Sequence, residues 1–177
     1  HRTEYEDGGR DPAIKPLVMP TRLFEKDLML KIGDTVVELR QADIHSHDGT
    51  VMLLPQSKLL FAGDTLEDPI TYVAEPERLE AHLADLERMS GWVFDRILPN
   101  HGAAEVIEAG GYDRRLVDAT RRYVEKLMRC RAQPGLAQQD LKTFTGEDLA
   151  SGAIRYFSPY EAVHRRNVEA VAGRSHA

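Results

Sequence analysis

A layered α/β (α+β) domain continued by a helical C-terminal segment is the fold class this sequence predicts, and three observations predict it. Short apolar runs broken by turn residues crowd positions 27–62. A three-and-four apolar period takes over at 76–89, and one more short apolar run follows at 96–99, so strands, helix and strand alternate. From Gly110 onward the pattern is helical throughout. At 177 residues and 42% hydrophobic content the chain is long enough for one ordinary globular domain with a sizeable core.

The predicted strands lie near 27–32, 35–39, 41–44, 50–54 and 58–62, the first pair joined at Gly33-Asp34 as in a hairpin. Leu79, Leu83, Leu86 and Met89 form the stripe of an amphipathic helix over 76–89, with Pro76 at its start and Gly91 just past its end. Leu116, Thr120, Tyr123, Val124, Leu127 and Met128 mark one face of a helix near 113–130, which Pro134-Gly135 breaks. Two further helix starts carry capping boxes, Thr145 with Asp148 and Ser158 with Glu161 behind Pro159. Residues 1–20 are charged and turn-rich and read as a chain entered midway. No repeat or low-complexity segment is present.

Bulk properties exclude several function classes. Lys+Arg number 23 and Asp+Glu 29, a net charge of -6, which disfavours adhesion to nucleic-acid phosphates or anionic membranes. No apolar stretch approaches membrane-spanning length and no signal peptide opens the chain. Cys130 is the single cysteine, so there is no internal disulfide, and a reducing cytoplasm is the natural compartment.

The chemistry concentrates at strand ends. His45, Asp64 and His101 each fall one or two positions past a predicted strand, where a stiff scaffold holds the residue while its side chain projects from an open loop. Runs 50–54 and 58–62, linked by Pro55-Gln56-Ser57, are expected to form a hairpin with Leu54 opposite Lys58. That register sets Asp64 opposite Asp48, with His45 and His47 a few positions away. Carboxylates and imidazoles gathered at one sheet edge repel or compete unless a proton or cation intervenes, and such a set suits zinc or a similar first-row metal. Singly, each has a plainer reading: Asp64 after Gly63 shapes a turn, and His101 is a loop histidine.

Ile44-His45-Ser46-His47-Asp48-Gly49-Thr50-Val51, Leu60-Phe61-Ala62-Gly63-Asp64-Thr65-Leu66 and Ile97-Leu98-Pro99-Asn100-His101-Gly102 together resemble, in order and spacing, the last three metal-binding motifs of the metallo-β-lactamase-fold hydrolase superfamily. The resemblance spans roughly 17–111. It implies the C-terminal half of an αββα sandwich over residues 1–110, with a helical extension over 111–177 packed on it. It further implies His45 as a ligand of one metal, Asp64 as the carboxylate bridging two, and His101 as a ligand of the second. Zn2+ is the implied metal, two per completed site, with Fe or Mn as alternatives.

The family's His-x-His-x-Asp-His block is missing here, which leaves three ligands for two metals. An upstream segment or a second polypeptide is therefore expected to complete the site, and a homo-oligomer is a further possibility. The implied activity is hydrolysis of a small ester, lactone, thioester or amide by a metal-bound hydroxide. Two alternatives stand beside it: an iron-dependent oxidoreductase like the sulfur dioxygenases, and a non-catalytic partner subunit of the same fold.

For substrate binding the candidates are His47, Tyr72, Tyr160 and His164. Tyr72 belongs to the loop 67–73 after Asp64 and is the first candidate for a pocket wall. Tyr160, His164 and Asn167 share one helix face and could reach back over the metal cleft or serve as a packing contact. His47 stands where many relatives have proline and reads as a substrate contact or as a hydrogen-bonded loop residue. Arg114, Arg115, Arg121, Arg122, Lys126, Arg129 and Arg131 form a cationic cluster that could meet an anionic substrate, though a solvated helix face explains it more simply. His82 reads as structural, and His1 and His176 are uninformative.

Overall fold

Gly33-Asp34 turns the chain back on itself, Gly33 taking a φ of 60° that suits a residue without a side chain. This pairs β1 (Asp27–Ile32) antiparallel with β2 (Thr35–Gln41). The structure is a computed structural model that describes residues 16 and 18–173. The turn-rich reading of residues 1–15, and also His1 and His176, lie outside the described residues. β2 pairs antiparallel with β3 (Thr50–Leu54) and β3 with β4 (Leu59–Gly63), while β5 (Arg96–Pro99) lies parallel to β4. The sheet order is β1-β2-β3-β4-β5. The parallel step needs a crossover, which α1 (Leu79–Ser90) supplies.

Two local expectations are corrected. Residues 41–44 are no separate strand: β2 runs on through Gln41 and the chain then turns, with the Ala42 N–H donating to the Gly49 carbonyl at 2.8 Å. The β3–β4 register is one residue from that predicted, Leu54 facing Leu59, because Lys58 adopts a left-handed φ of 49° and stays in the turn. Asp64 therefore comes level with Gly49 rather than Asp48, and the Asp48 carboxylate instead accepts from the Ser46 hydroxyl at 2.8 Å.

Alternation gives the sheet two unlike faces. On one, Val51, Leu53, Leu60, Ala62 and Ile97 are buried, in one core with the stripe Leu79, Leu86 and Met89 of α1 and with α3 (Arg115–Arg129), which buries Leu116, Tyr123 and Leu127. On the other, the pairing register lines up Leu28, Leu39, Met52, Phe61 and Leu98 in one row across all five strands. Met52 and Phe61 there are 39% and 37% exposed, and the other three are half-buried. A solvent-facing sheet surface is normally polar, and an apolar row spanning every strand sets this face apart.

The helical segment adds α2 (Ala104–Glu108), then α3, then the short α4 (Pro134–Ala137), α5 (Leu141–Phe144) and α6 (Gly146–Ala150), and finally α7 (Tyr160–Ala172). Its buried apolar residues share one core with those of the sheet. The preceding helix ends at Arg129, before Pro134-Gly135 is reached, and Pro134 instead opens α4, where a missing N–H costs nothing. Neither predicted capping box forms. The Thr145 hydroxyl donates to the Leu141 carbonyl at 2.7 Å, and the Glu161 carboxylate accepts from the Leu141 N–H at 3.0 Å. The side-chain cap observed in this region is Asp140, which accepts from the Thr143 N–H at 2.8 Å. No helix among the described residues is long and apolar enough to cross a membrane.

Candidate metal centre

The three candidate ligands follow the ends of β2, β4 and β5. Asp64 follows Gly63, whose φ of 57° turns the chain out of the sheet. The Asn100 N–H donates to the Gly63 carbonyl at 2.9 Å, tying the β4 and β5 ends together. His101 Nε2 consequently lies 3.4 Å from Asp64 Oδ1. Asn100 Nδ2 donates to that same oxygen at 3.1 Å, which fixes the carboxylate rotamer. Both partners are substantially exposed, 57% for His101 and 43% for Asp64, so their mutual attraction is weak and their remaining lone pairs stay open.

His45 sits in the tight loop after β2. Its Nδ1 lies 3.0 Å from the Tyr72 carbonyl and its ring 5.9 Å from the Tyr72 ring. A carbonyl only accepts, so Nδ1 carries the proton and Nε2 is the lone-pair nitrogen. That is the arrangement in which a histidine binds a metal through one nitrogen while a backbone carbonyl orients it through the other. Imidazole, carboxylate and imidazole with such a carbonyl behind one of them fit zinc-type coordination. Among the described residues the set of three metal-capable groups within 4.8 Å of one another is Asp43, Glu75 and His82. His45, Asp64 and His101 do not form such a set: Asp64 and His101 meet at 3.4 Å, while His45 is held by its contact with Tyr72.

A cleft of about 420 Å³ opens beside His101. Asn100, His101 and Gly102 form one wall, and Tyr156, Phe157 and Tyr160 from the helical segment form the other. Behind it, the Tyr112 hydroxyl donates to the Asp68 carboxylate at 2.6 Å and accepts from the Ala103 N–H at 2.7 Å. The Arg155 N–H donates to the other Asp68 oxygen at 2.6 Å. Burial raises the Asp68 pKa against the pull of these donors, and burial with Asp68 alongside raises that of Tyr112. Tyr160 is likewise raised, by burial and by Glu67, so its phenol stays protonated and donates to Glu67 at 2.7 Å.

The remaining candidates divide. Tyr72 is 41% exposed, and it touches His45 through its carbonyl as well as its ring. The loop around it is mostly buried: Glu67, Asp68, Ile70, Thr71 and Val73 face inward, so it serves largely as internal scaffold. Tyr160 lines the cleft. His164 does not reach it. It is buried between Tyr123, whose hydroxyl lies 3.0 Å from Nδ1, and the Gln139 carbonyl, 3.1 Å from Nε2, so a packing role replaces the substrate contact expected of it. Asn167 also turns inward, pinning Thr71 and Val73.

His47 is held by Glu75, which accepts from its backbone N–H at 2.6 Å and lies 2.7 Å from its Nδ1. That bond raises the His47 pKa. In the cationic cluster Arg114, Arg115, Arg122, Lys126 and Arg131 all have intramolecular acceptors, so these side chains tie neighbouring segments together rather than simply facing solvent. Sequence reasoning missed Asn100, although it abuts His101, and it missed Tyr156 and Phe157, which carry no motif.

A five-stranded mixed sheet with helices on one face, an apolar row on the other and metal-capable side chains at one edge defines a class: half of a two-sheet sandwich with an edge site. Solved structures name the fold. A metallo-β-lactamase from Pontibacter korlensis superposes with a TM-score of 0.50 at 23% identity, covering 61% of this chain and 50% of that one. A metallo-β-lactamase family protein from Thermus thermophilus superposes with a TM-score of 0.51 at 15% identity, covering 85% and 49%. No family model matches the chain, and no curated protein does. The chain thus has part of the metallo-β-lactamase fold and spans about half the length of these structures.

Proposed function

We propose that this chain is the part of a metal-dependent hydrolase that contributes His45, Asp64 and His101 to a zinc centre, with an upstream segment or a second chain supplying the other ligands. The observation that carries the reading is the meeting of Asp64 and His101 at 3.4 Å beside a cleft that His101 lines, at the same end of the sheet as the loop after β2 that holds His45. The partial span of the solved relatives and the apolar row Leu28, Leu39, Met52, Phe61 and Leu98 support completion by a further layer. Two Zn2+ per completed site suit this donor set.

When bound, the ions supply an activated water of pKa about 7 and a Lewis acid for a carbonyl. The chain's own residues supply position. Asn100 fixes the Asp64 carboxylate, the Tyr72 carbonyl sets the His45 tautomer, and Tyr156, Phe157 and Tyr160 wall a cleft sized for a small ester, lactone, thioester or amide. The test is hydrolysis of a panel of those four substrate types by the completed protein before and after chelation. Activity that vanishes with the metal and returns with added Zn2+ is expected. Hydrolysis indifferent to chelation would overturn the proposal.

A further inference from the structure

On α1, His82 is fully buried, and neither ring nitrogen has a hydrogen-bond partner. A neutral imidazole has one donor and one acceptor to satisfy, so two orphaned nitrogens in a core need a cause. What they face is acidic. Asp43 Oδ1 lies 3.6 Å from His82 Nε2, beyond hydrogen-bond reach, and a Glu75 carboxylate oxygen joins them within a 4.8 Å span. The three come from separate places: Asp43 from the loop after β2, Glu75 from the segment before α1, and His82 from the helix itself.

We infer that Asp43, Glu75 and His82 form a second metal site, distinct from the edge centre, that takes one divalent first-row cation of the Zn2+ or Co2+ type. One imidazole and two carboxylates on three separate segments are a borderline-hard donor set of the kind such ions prefer. Ligands sharing an ion sit about 2.0–2.2 Å from it, so binding draws the three atoms slightly inward. Two cationic side chains now answer the carboxylates. Arg78 pairs with both Asp43 oxygens, and His47 pairs with Glu75. Both are accessible, Arg78 being 41% and His47 63% exposed, so each can give way to solvent when an ion enters. Because Asp43 stands two residues before His45, an ion here clamps the His45 loop to α1.

The test is Co2+ titration of the whole chain, followed by visible absorption, in a D64A/H101A background that removes two ligands of the edge centre. One equivalent of Co2+ with a d–d spectrum is expected. Adding His82→Gln is expected to weaken it at least tenfold, and adding Glu75→Gln at a partly exposed position, where folding is not at stake, is expected to do the same. Arg78→Ala is expected to tighten binding by removing the competitor. No bound Co2+ in the double variant, or affinity unmoved by Glu75→Gln, would overturn the second site while leaving the reading of the edge centre standing.

Discussion

Gly49 has no room for a side chain: a Cβ there would lie 2.4 Å from the Ala42 carbonyl oxygen and 3.0 Å from that of Ser46. These are backbone atoms of the loop that carries His45, and they cannot step aside singly. Gly49→Ala is expected to cost about 1–3 kcal/mol, read as a lower urea midpoint, with weakened metal retention in the completed protein. Buried His164 carries a different prediction. Burial lowers its pKa below the usual 6.5, so the unfolded chain binds a proton at a pH where the folded chain does not. Stability is whole above about 6.5 and falls as pH drops towards the lowered value. Melting curves between about pH 8 and 5 are expected to show that fall, and His164→Gln to shallow it; an unchanged slope counts against the assignment. At this scale the candidate ligands stood out only jointly, by the order and spacing of three strand-end motifs, since each alone reads as a turn or loop residue. Asn100 and the Tyr72 carbonyl did not, since a side chain that orients a neighbour, or a backbone atom, leaves no chemical mark in the sequence.

Among elements, period and turn chemistry placed all five strands and the long helices Leu79–Ser90 and Arg115–Arg129 in order, but added a strand at 41–44 that is a turn. What failed was local competition. Thr145 and Glu161 had the spacing of caps, yet both found partners around Leu141, and spacing says nothing about such neighbours. The β3–β4 register slipped by one because a lysine entered the left-handed region, which propensity assigns to glycine or asparagine. The same blindness hid the purpose of the polar face of α7. Asn167 is fully buried, accepts from the Val73 N–H at 3.0 Å, and donates to the Thr71 carbonyl at 3.0 Å and the Tyr123 hydroxyl at 3.1 Å. It thereby stitches the helical segment to the loop whose Tyr72 carbonyl orients His45. Replacing it by leucine orphans those groups at about 1–3 kcal/mol apiece. Chemical denaturation is expected to register the loss, and hydrogen exchange to show faster opening of Thr71 and Val73; protection unchanged at both amides would contradict this linkage.

At the scale of the molecule, one sheet face is packed and the other carries an apolar row that, on the function proposed above, a further layer covers. The motifs at the sheet edge made half a sandwich legible in the sequence, whereas the row itself became visible only when the registers aligned residues from five strands. Burying a side chain such as Phe or Met is worth about 1.5–3 kcal/mol. Met52→Lys and Phe61→Lys are therefore each expected to weaken association with the completing half roughly ten- to hundredfold, measured by light scattering or calorimetry, and association at full strength would refute that use of the face.

The central claim, that His45, Asp64 and His101 serve one metal centre, is tested most directly by the metal-to-protein ratio of the completed protein before and after Asp64→Ala. With Asp64 bridging two ions, as proposed, about two zinc ions are expected to fall to well under one. A ratio unchanged by the substitution would contradict it.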